Sequence, residues 1–334
     1  MTSNKLPIKS TVDGAAATLE LIRQRKEGKL TSLKTSFNKL NKHLLNGIDW
    51  YRIFTIGGMS GSGKSTILEQ IKRDFLKLNP KDNFVILSFE FEMLIEDQLA
   101  RSVAARTHIG LKDMYSADKP LSEFDMRSVE AALKDLSDPR SFYVDNTGTV
   151  EQIKSTIMDF VVSQNLQATS TGLVVTIDHL LLTKGKTGEA EKAIIDDLMT
   201  TLVELKKYYA SIGQKVMFIL LSQLNRDIES IDRVTNQMLH YPTRNDIFGA
   251  SSVFNSSDYV MISHRPGVLV GMGSYYGPPK KEQGWPNGLP VKCPTDTSKH
   301  MVYWHLIKER FGKPALLTMV EDFEHASIKE YSLK

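Results

Sequence analysis

The residues best equipped for chemistry lie between Gly58 and Ser65, where Gly-Met-Ser-Gly-Ser-Gly-Lys-Ser fits the spacing G-x-x-x-x-G-K-[ST]. Small residues at Gly58, Ser60, Gly61, Ser62 and Gly63 let successive backbone N–H groups curl around an anion. A helix opening beside Lys64 and Thr66 would aim its dipole at the same point. Lys64 can reach the outer phosphates of a bound polyphosphate, and Ser65 can offer its hydroxyl to Mg²⁺. The bland alternative is a chance Gly/Ser turn. The surroundings argue against it: Arg52 to Ile56 reads as a short buried strand, while Ile67, Leu68, Ile71, Phe75 and Leu76 recur at helical spacing.

A second chemical group stands at the end of the strongest buried-strand signal, Leu173 to Ile177, where Asp178 follows an unbroken apolar run. An acid there can hold Mg²⁺ opposite the phosphate loop, and its bland reading is a turn cap. Phe84 to Leu87 is a similar run and leads into Ser88-Phe89-Glu90-Phe91-Glu92-Met93, again placing acids at a strand's carboxyl end, where open α/β sheets build their sites.

The elements that must position these groups alternate. The sequence predicts helices over 94–107, 121–136, 189–210 and, opened by a Thr149/Gln152 capping box, to Val162. It predicts further strands at Ser141–Val144, 216–221, 258–263, 301–308 and 315–320. Ahead of them, 15–29 forms a short amphipathic helix with a narrow apolar stripe, and 33–49 reads as a polar approach. Thr183 to Gly188, glycine-punctuated and basic, reads as a mobile loop. The stretch after Ser222 to Arg226 has no convincing period, and 266–299 is a Gly/Pro/Lys-rich exposed insertion. The expected fold is α/β, a P-loop ATPase on a mostly parallel central sheet flanked by helices. The expected organisation is a linker segment over 1–31 and one ATPase domain over 32–334. ATP and Mg²⁺ are the expected ligands.

Composition sets the outer bounds. The 334 residues suffice for a full core, and a net charge of +3 is too small to argue for a nucleic-acid partner without local placement. The single Cys293, read as an inert loop residue, excludes a disulfide framework and a cysteine zinc site. No apolar run of leader or membrane-spanning type occurs, so the expected location is a reducing cytoplasm, bacterial or of a phage-infected host, without membrane association.

Taken in order, several blocks resemble the ATPase domain of DnaB-type replicative helicases, within the RecA-like class. Thr35-Ser36-Phe37 through Leu40-Asn41 is similar to the family's TGF-x-x-LD, Ser88-Phe89-Glu90 to S-L-E, Asp145-Asn146-Thr147 to D-D-T and Ile177-Asp178-His179-Leu180 to I-D-Y-L. Leu221 to Arg226 reads LSQLNR, Asp258 to Met261 resembles the D-V-V-M strand, and Lys308 to Gly312 the K-x-R-N-G hairpin. The resemblance implies that Glu90 polarises the attacking water, with Glu92 the rival register. It implies that Gln223 senses the γ-phosphate, and that Lys308 and Arg310 act in trans on a neighbour's ATP. It also implies a ring, taken as a hexamer, that translocates on single-stranded DNA and unwinds duplex. Lys184, Lys186, Arg226, Arg233 and Arg244 would grip the DNA backbone, and a primase or helicase loader would be a partner. The D-L-R stretch appears as Asp246-Ile247-Phe248 and the later E-Q as Phe254-Asn255, while the family's N-terminal helical domain has no counterpart here. The competing functions are another RecA-like ATPase, of the recombinase or clock type, and a non-motor ATP-dependent loader or switch.

Overall fold

Strands buried on both faces must be apolar throughout, and six segments of this chain satisfy that demand. The computed structural model describes residues 8, 10–185, 189–236, 239–272, 275–276, 291–292 and 300–331. Its strands are β1 (Ile53–Gly58), β2 (Phe84–Glu90), β3 (Ser141–Val144), β4 (Gly172–Asp178), β5 (Val216–Gln223) and β6 (Tyr259–His264). They continue with β7 (Tyr275–Tyr276), β8 (Val291–Lys292), β9 (Met301–Glu309), β10 (Ala315–Asp322) and β11 (Ser327–Glu330). Nine of them form one sheet in the order β11-β10-β9-β6-β1-β5-β4-β2-β3, and β7 pairs with β8 separately. From β6 to β3 the pairing is parallel; β9, β10 and β11 extend the sheet antiparallel.

The helices are α1 (Thr11–Lys26), α2 (Asn38–His43), α3 (Lys64–Leu78), α4 (Ile95–Thr107), α5 (Leu111–Tyr115) and α6 (Glu123–Leu136). After them come α7 (Val150–Ser163), α8 (Glu191–Ser211), α9 (Ile231–Thr235) and α10 (Ala250–Ser256). One face of the sheet is closed mainly by α7 and α8, through Ile153, Ile157, Leu198 and Leu202. On the other face α3 supplies Ile67, Leu68, Ile71 and Phe75. The expected capping box is present: the Thr149 hydroxyl accepts from the Gln152 N–H, and the Gln152 side chain accepts from the Thr149 N–H. None of the helices among the described residues is long and apolar enough to cross a membrane.

Register is what builds the site. Gly58 lies level with Gln223 on one side and Ser263 on the other, and Glu90 lies level with Asp178. The phosphate loop and the strand-end groups therefore emerge at one end of the sheet.

The polar approach over 33–49 needs correction. Leu33, Phe37, Leu40, Leu44 and Ile48 are all buried, and the Phe37 ring meets Trp304 edge-on at 4.7 Å. Spaced irregularly among Lys, Asn and Ser, these side chains have no single period, because a short helix and two turns present them rather than one element. The segments α5 and β11 also went unread, each being too short to establish a period. Most of the 266–299 insertion, together with Cys293 and Lys186, lies outside the described residues.

Candidate nucleotide site

The loop between β1 and α3 owes its shape to its glycines. Gly61 and Gly63 have φ of 72° and 83°, in the left-handed region that favours glycine, and a Cβ on Gly58 would stand 2.2 Å from the Ser62 hydroxyl and 2.8 Å from the Ser263 carbonyl. A cleft of about 340 Å³ opens above the loop, lined by Ser60, Gly61, Gly63, Lys64, Ser65 and Thr66 together with Glu92 and Gln223. A larger groove, about 700 Å³, runs beside α3, α4 and α6 with mixed charges, and neither the loop nor the strand-end acids reach it.

Lys64 is buried and donates to the Met59 carbonyl at 2.9 Å, folded back over its own loop. Burial pushes its pKa down, and the carboxylates of Asp178 and Glu92 oppose that shift. The Ser65 hydroxyl donates to Asp178 Oδ2 at 2.7 Å, bringing together two groups 113 positions apart. Asp178 is 3% exposed, and burial raises its pKa to about 6, partly offset by the Ser65 hydrogen bond. Its other oxygen, Oδ1, is buried with no hydrogen-bond partner. An orphaned carboxylate oxygen next to a hydroxyl is a hard-oxygen donor set, so these residues fit Mg²⁺.

The two candidate acids part company in the structure. Glu90 is 1% exposed; Oε1 accepts from Lys72 at 3.0 Å, and Oε2 accepts from Gln98 at 2.9 Å. Lys72 also donates to Glu69 at 2.5 Å, so one buried cation serves two carboxylates. Burial pushes the Glu90 carboxyl up to about 7, with Lys72 opposing and Glu69 reinforcing. Glu90 is not part of the cleft lining. Glu92, just beyond β2, lines the cleft with 58% of its side chain exposed. The expectation that Glu90 faces the phosphates is corrected on this geometry: alternation along the strand turns it towards α3 and α4.

Beside Glu92 lies a group the sequence reading passed over. His179, directly after Asp178, is buried and stands 3.3 Å from Gln223 Nε2 and 4.0 Å from Glu92 Oε2. Burial lowers its pKa, so the neutral ring can accept from the Gln223 amide. The signal was available, a titratable side chain next to a strand-end acid. Phe323 and Arg265 were also missed. The Phe323 ring packs on the loop, where a Cβ on Gly63 would meet it at 2.3 Å, and Arg265 lies 4.8 Å above that ring while donating to Gly61 O and Glu321. They arrive from β6 and β10, far from the loop in sequence.

The remaining cations are elsewhere. Lys308 donates to the Phe254 and Asn255 carbonyls, and Arg310 forms an ion pair with Asp258 at 2.9 Å. Both belong to the level of Tyr259, four strand positions below the Ser263 level of the phosphate loop, a rise of about 13 Å. Arg233 is engaged with both oxygens of Asp246 and with the Leu239 and Tyr241 carbonyls, so it ties a loop together rather than presenting a free cation. Lys184, Arg226 and Arg244 are exposed.

With this geometry established, comparison with known proteins identifies the kind of site it is. No curated protein matches the chain. The chain is similar to a solved structure of an isolated ATPase domain, at 16% identity and a TM-score of 0.73, over 97% of this chain and 100% of that one. It is likewise similar to a solved DnaB-like replicative helicase described with its interactions with primase, at 16% identity and a TM-score of 0.71, over 97% of this chain and 68% of that one. These likenesses carry the fold, a RecA-like α/β ATPase architecture. The DnaB-like helicase C-terminal domain model matches residues 32–312, and the chain belongs to that family.

Proposed function

We propose that the chain is an ATP-hydrolysing ring motor, working as a hexamer, that moves along single-stranded DNA and opens duplex ahead of it. The observation that carries this reading is the division of functional groups along the sheet. Lys64, Ser65, Asp178 and Glu92 stand at one end, and Lys308 and Arg310 at the other, too far to serve the same chain's cleft. Cations so placed can reach the cleft of an adjacent copy.

In this reading the backbone N–H groups of residues 60–65 bind the phosphates, and Lys64 leaves the Met59 carbonyl to neutralise the outer ones. Ser65 and Asp178 hold Mg²⁺, which when bound screens the phosphate oxygens. Glu92, the acid open to the cleft, orients the attacking water and takes its proton. Gln223 reads the γ-phosphate and, through His179, is coupled to Glu92. Lys308 and Arg310 enter from the neighbour; an arginine supplied in trans contributes on the order of 10³- to 10⁵-fold in other NTPases. Phe323 offers the nucleotide base a face to stack on. Lys184, Arg226 and Arg244, with Lys186 beyond the described residues, track the DNA backbone, while Arg233 holds their loop in shape. A primase or a loader is the partner such a ring would take.

The test is ATP hydrolysis measured against protein concentration, with and without single-stranded DNA, for wild type and Arg310→Ala. A steep rise with concentration, stimulation by DNA and collapse in the variant are expected. Asp258 retains Lys206 at 2.8 Å, so the variant keeps its buried ion pair. Specific activity that is flat with concentration and indifferent to DNA and to Arg310 would favour a non-motor switch.

A further inference from the structure

Outside the cleft, two histidines and an aspartate from opposite ends of the chain converge. His108 caps the C-terminus of α4 in the left-handed conformation, with φ of 56°. Asp322 ends β10, and His325 closes the single helical turn Phe323–His325 that follows it. One ligand atom from each side chain can be chosen so that all three lie within 4.8 Å of one another, and this is the only such group of three among the described residues. The two imidazole rings meet edge-on with centroids 5.0 Å apart, and His325 Nδ1 lies 2.8 Å from Asp322 Oδ1.

Two imidazoles and a carboxylate are a borderline N/O donor set, suited to Zn²⁺ and its neighbours and poorly suited to Mg²⁺. A tetrahedral ion with ligands at about 2.0–2.1 Å needs donor atoms roughly 3.4 Å apart, so the trio must close by about an ångström. The side chains can do so: Asp322 is 49% and His325 28% exposed, and neither is held by core packing. The elements are better fixed than the side chains, since α4 packs on α6 and on the Phe323–His325 turn.

We propose that His108, Asp322 and His325 bind one Zn²⁺-class ion, which fastens the turn carrying Phe323 to the end of α4. The consequence follows from what those elements carry. Phe323 and Ala326 form one wall of the cleft, and Arg101 of α4 and Leu111 of α5 form the facing part. An ion bridging residues 108 and 325 cross-links the two walls and holds the Phe323 ring against Gly63.

The experiment uses the full chain carrying Cys293→Ser, so that the lone thiol cannot be the ligand. Zn²⁺ is titrated against a chromophoric chelator in the absence of nucleotide. One ion per chain is expected, indifferent to excess Mg²⁺, with affinity falling at least about 10-fold in His108→Ala and in His325→Ala. Zn²⁺ should also slow amide exchange over 321–328 in the parent and not in the variants. Melting curves without zinc establish that the variants fold. Equal Zn²⁺ affinity in the parent and the His108→Ala/His325→Ala double variant, or no Zn²⁺ binding in the parent, overturns the proposal. Because no nucleotide is present, this result is independent of the proposed ATPase activity.

Discussion

Glu90 and Glu92 are two positions apart at the end of one strand, and the environment of each assigns it different work. Glu90 is locked between Lys72 and Gln98, with both oxygens occupied and no place on the cleft lining. Glu92 has an exposed carboxylate on the cleft wall. Glu92→Gln should therefore lower ATP turnover by about 10²- to 10⁴-fold, the span of a lost general base, while nucleotide affinity changes little. Glu90→Gln keeps the shape and leaves Lys72 its Glu69 partner, so turnover should stay within about 10-fold. Single-turnover hydrolysis with a nucleotide-binding measurement on each variant decides it, and the reverse pattern would return the base to Glu90. The phosphate loop was legible because its chemistry is local: glycines, Lys64 and Ser65 are consecutive. The choice between the acids was not, because it depends on where β2 stops and on the partners α3 and α4 bring from outside the strand.

At the scale of elements, the ends of β6, β9 and β10 matter more than their sequences suggest. The turn after β10 lays Phe323 on Gly63, and base stacking on an aromatic is worth about 1–3 kcal/mol by alanine substitution. Phe323→Ala should weaken nucleotide binding by roughly 5- to 150-fold. It should affect the triphosphate and the diphosphate alike, as fluorescence titration with both would show; equal affinity in wild type and variant would remove Phe323 from the site. The same strands bury His264 and His305, rings 6.4 Å apart and both essentially inaccessible to water. Burial drops the His264 pKa from 6.5 to about 3, with His240 adding to the effect, and that of His305 well below its ordinary value. The unfolded chain takes up these protons below about pH 6.5, whereas the folded chain refuses His264's until about pH 3. Stability is thus complete above 6.5 and falls as pH drops through the window between the two values. Each such histidine costs about 1 kcal/mol between pH 6.5 and 5.5. Urea unfolding at the two pH values should show His264→Gln losing that much less than wild type. None of this was readable from the strand pattern, since neither His264 nor His305 differs in sequence context from an exposed strand histidine until the neighbouring strand is known.

At the scale of the whole molecule, the sheet order and its parallel core followed from six apolar runs with helices between them, whereas the burial of 33–49 followed only from packing, with Trp304 of β9 closing over Phe37. The N-terminal helix poses the opposite problem. Residues Thr11–Lys26 form a regular helix capped by Ser10, yet none of them is buried, and Leu19, Leu21 and Ile22 are each more than 40% exposed. A 16-residue helix is marginal in water on its own, because nucleation is costly and packing normally supplies the stability. In the isolated chain its one firm anchor is the ion pair from Arg25 to the buried Asp49 at 2.6 Å. A helix held at one end, with its apolar residues uncovered, is suited to lie against a second copy of the chain, which would bring the end of one sheet towards the cleft of the next. Replacing Leu19 and Ile22 together by Glu should then leave the melting temperature of the dilute monomer unchanged, since neither side chain contributes to its core. The same change should reduce the assembled mass in light scattering and remove the concentration dependence of ATP hydrolysis. Assemblies of unchanged size in that variant would mean that residues 1–31 are not what joins the copies, and the contact would have to lie between the ATPase surfaces themselves.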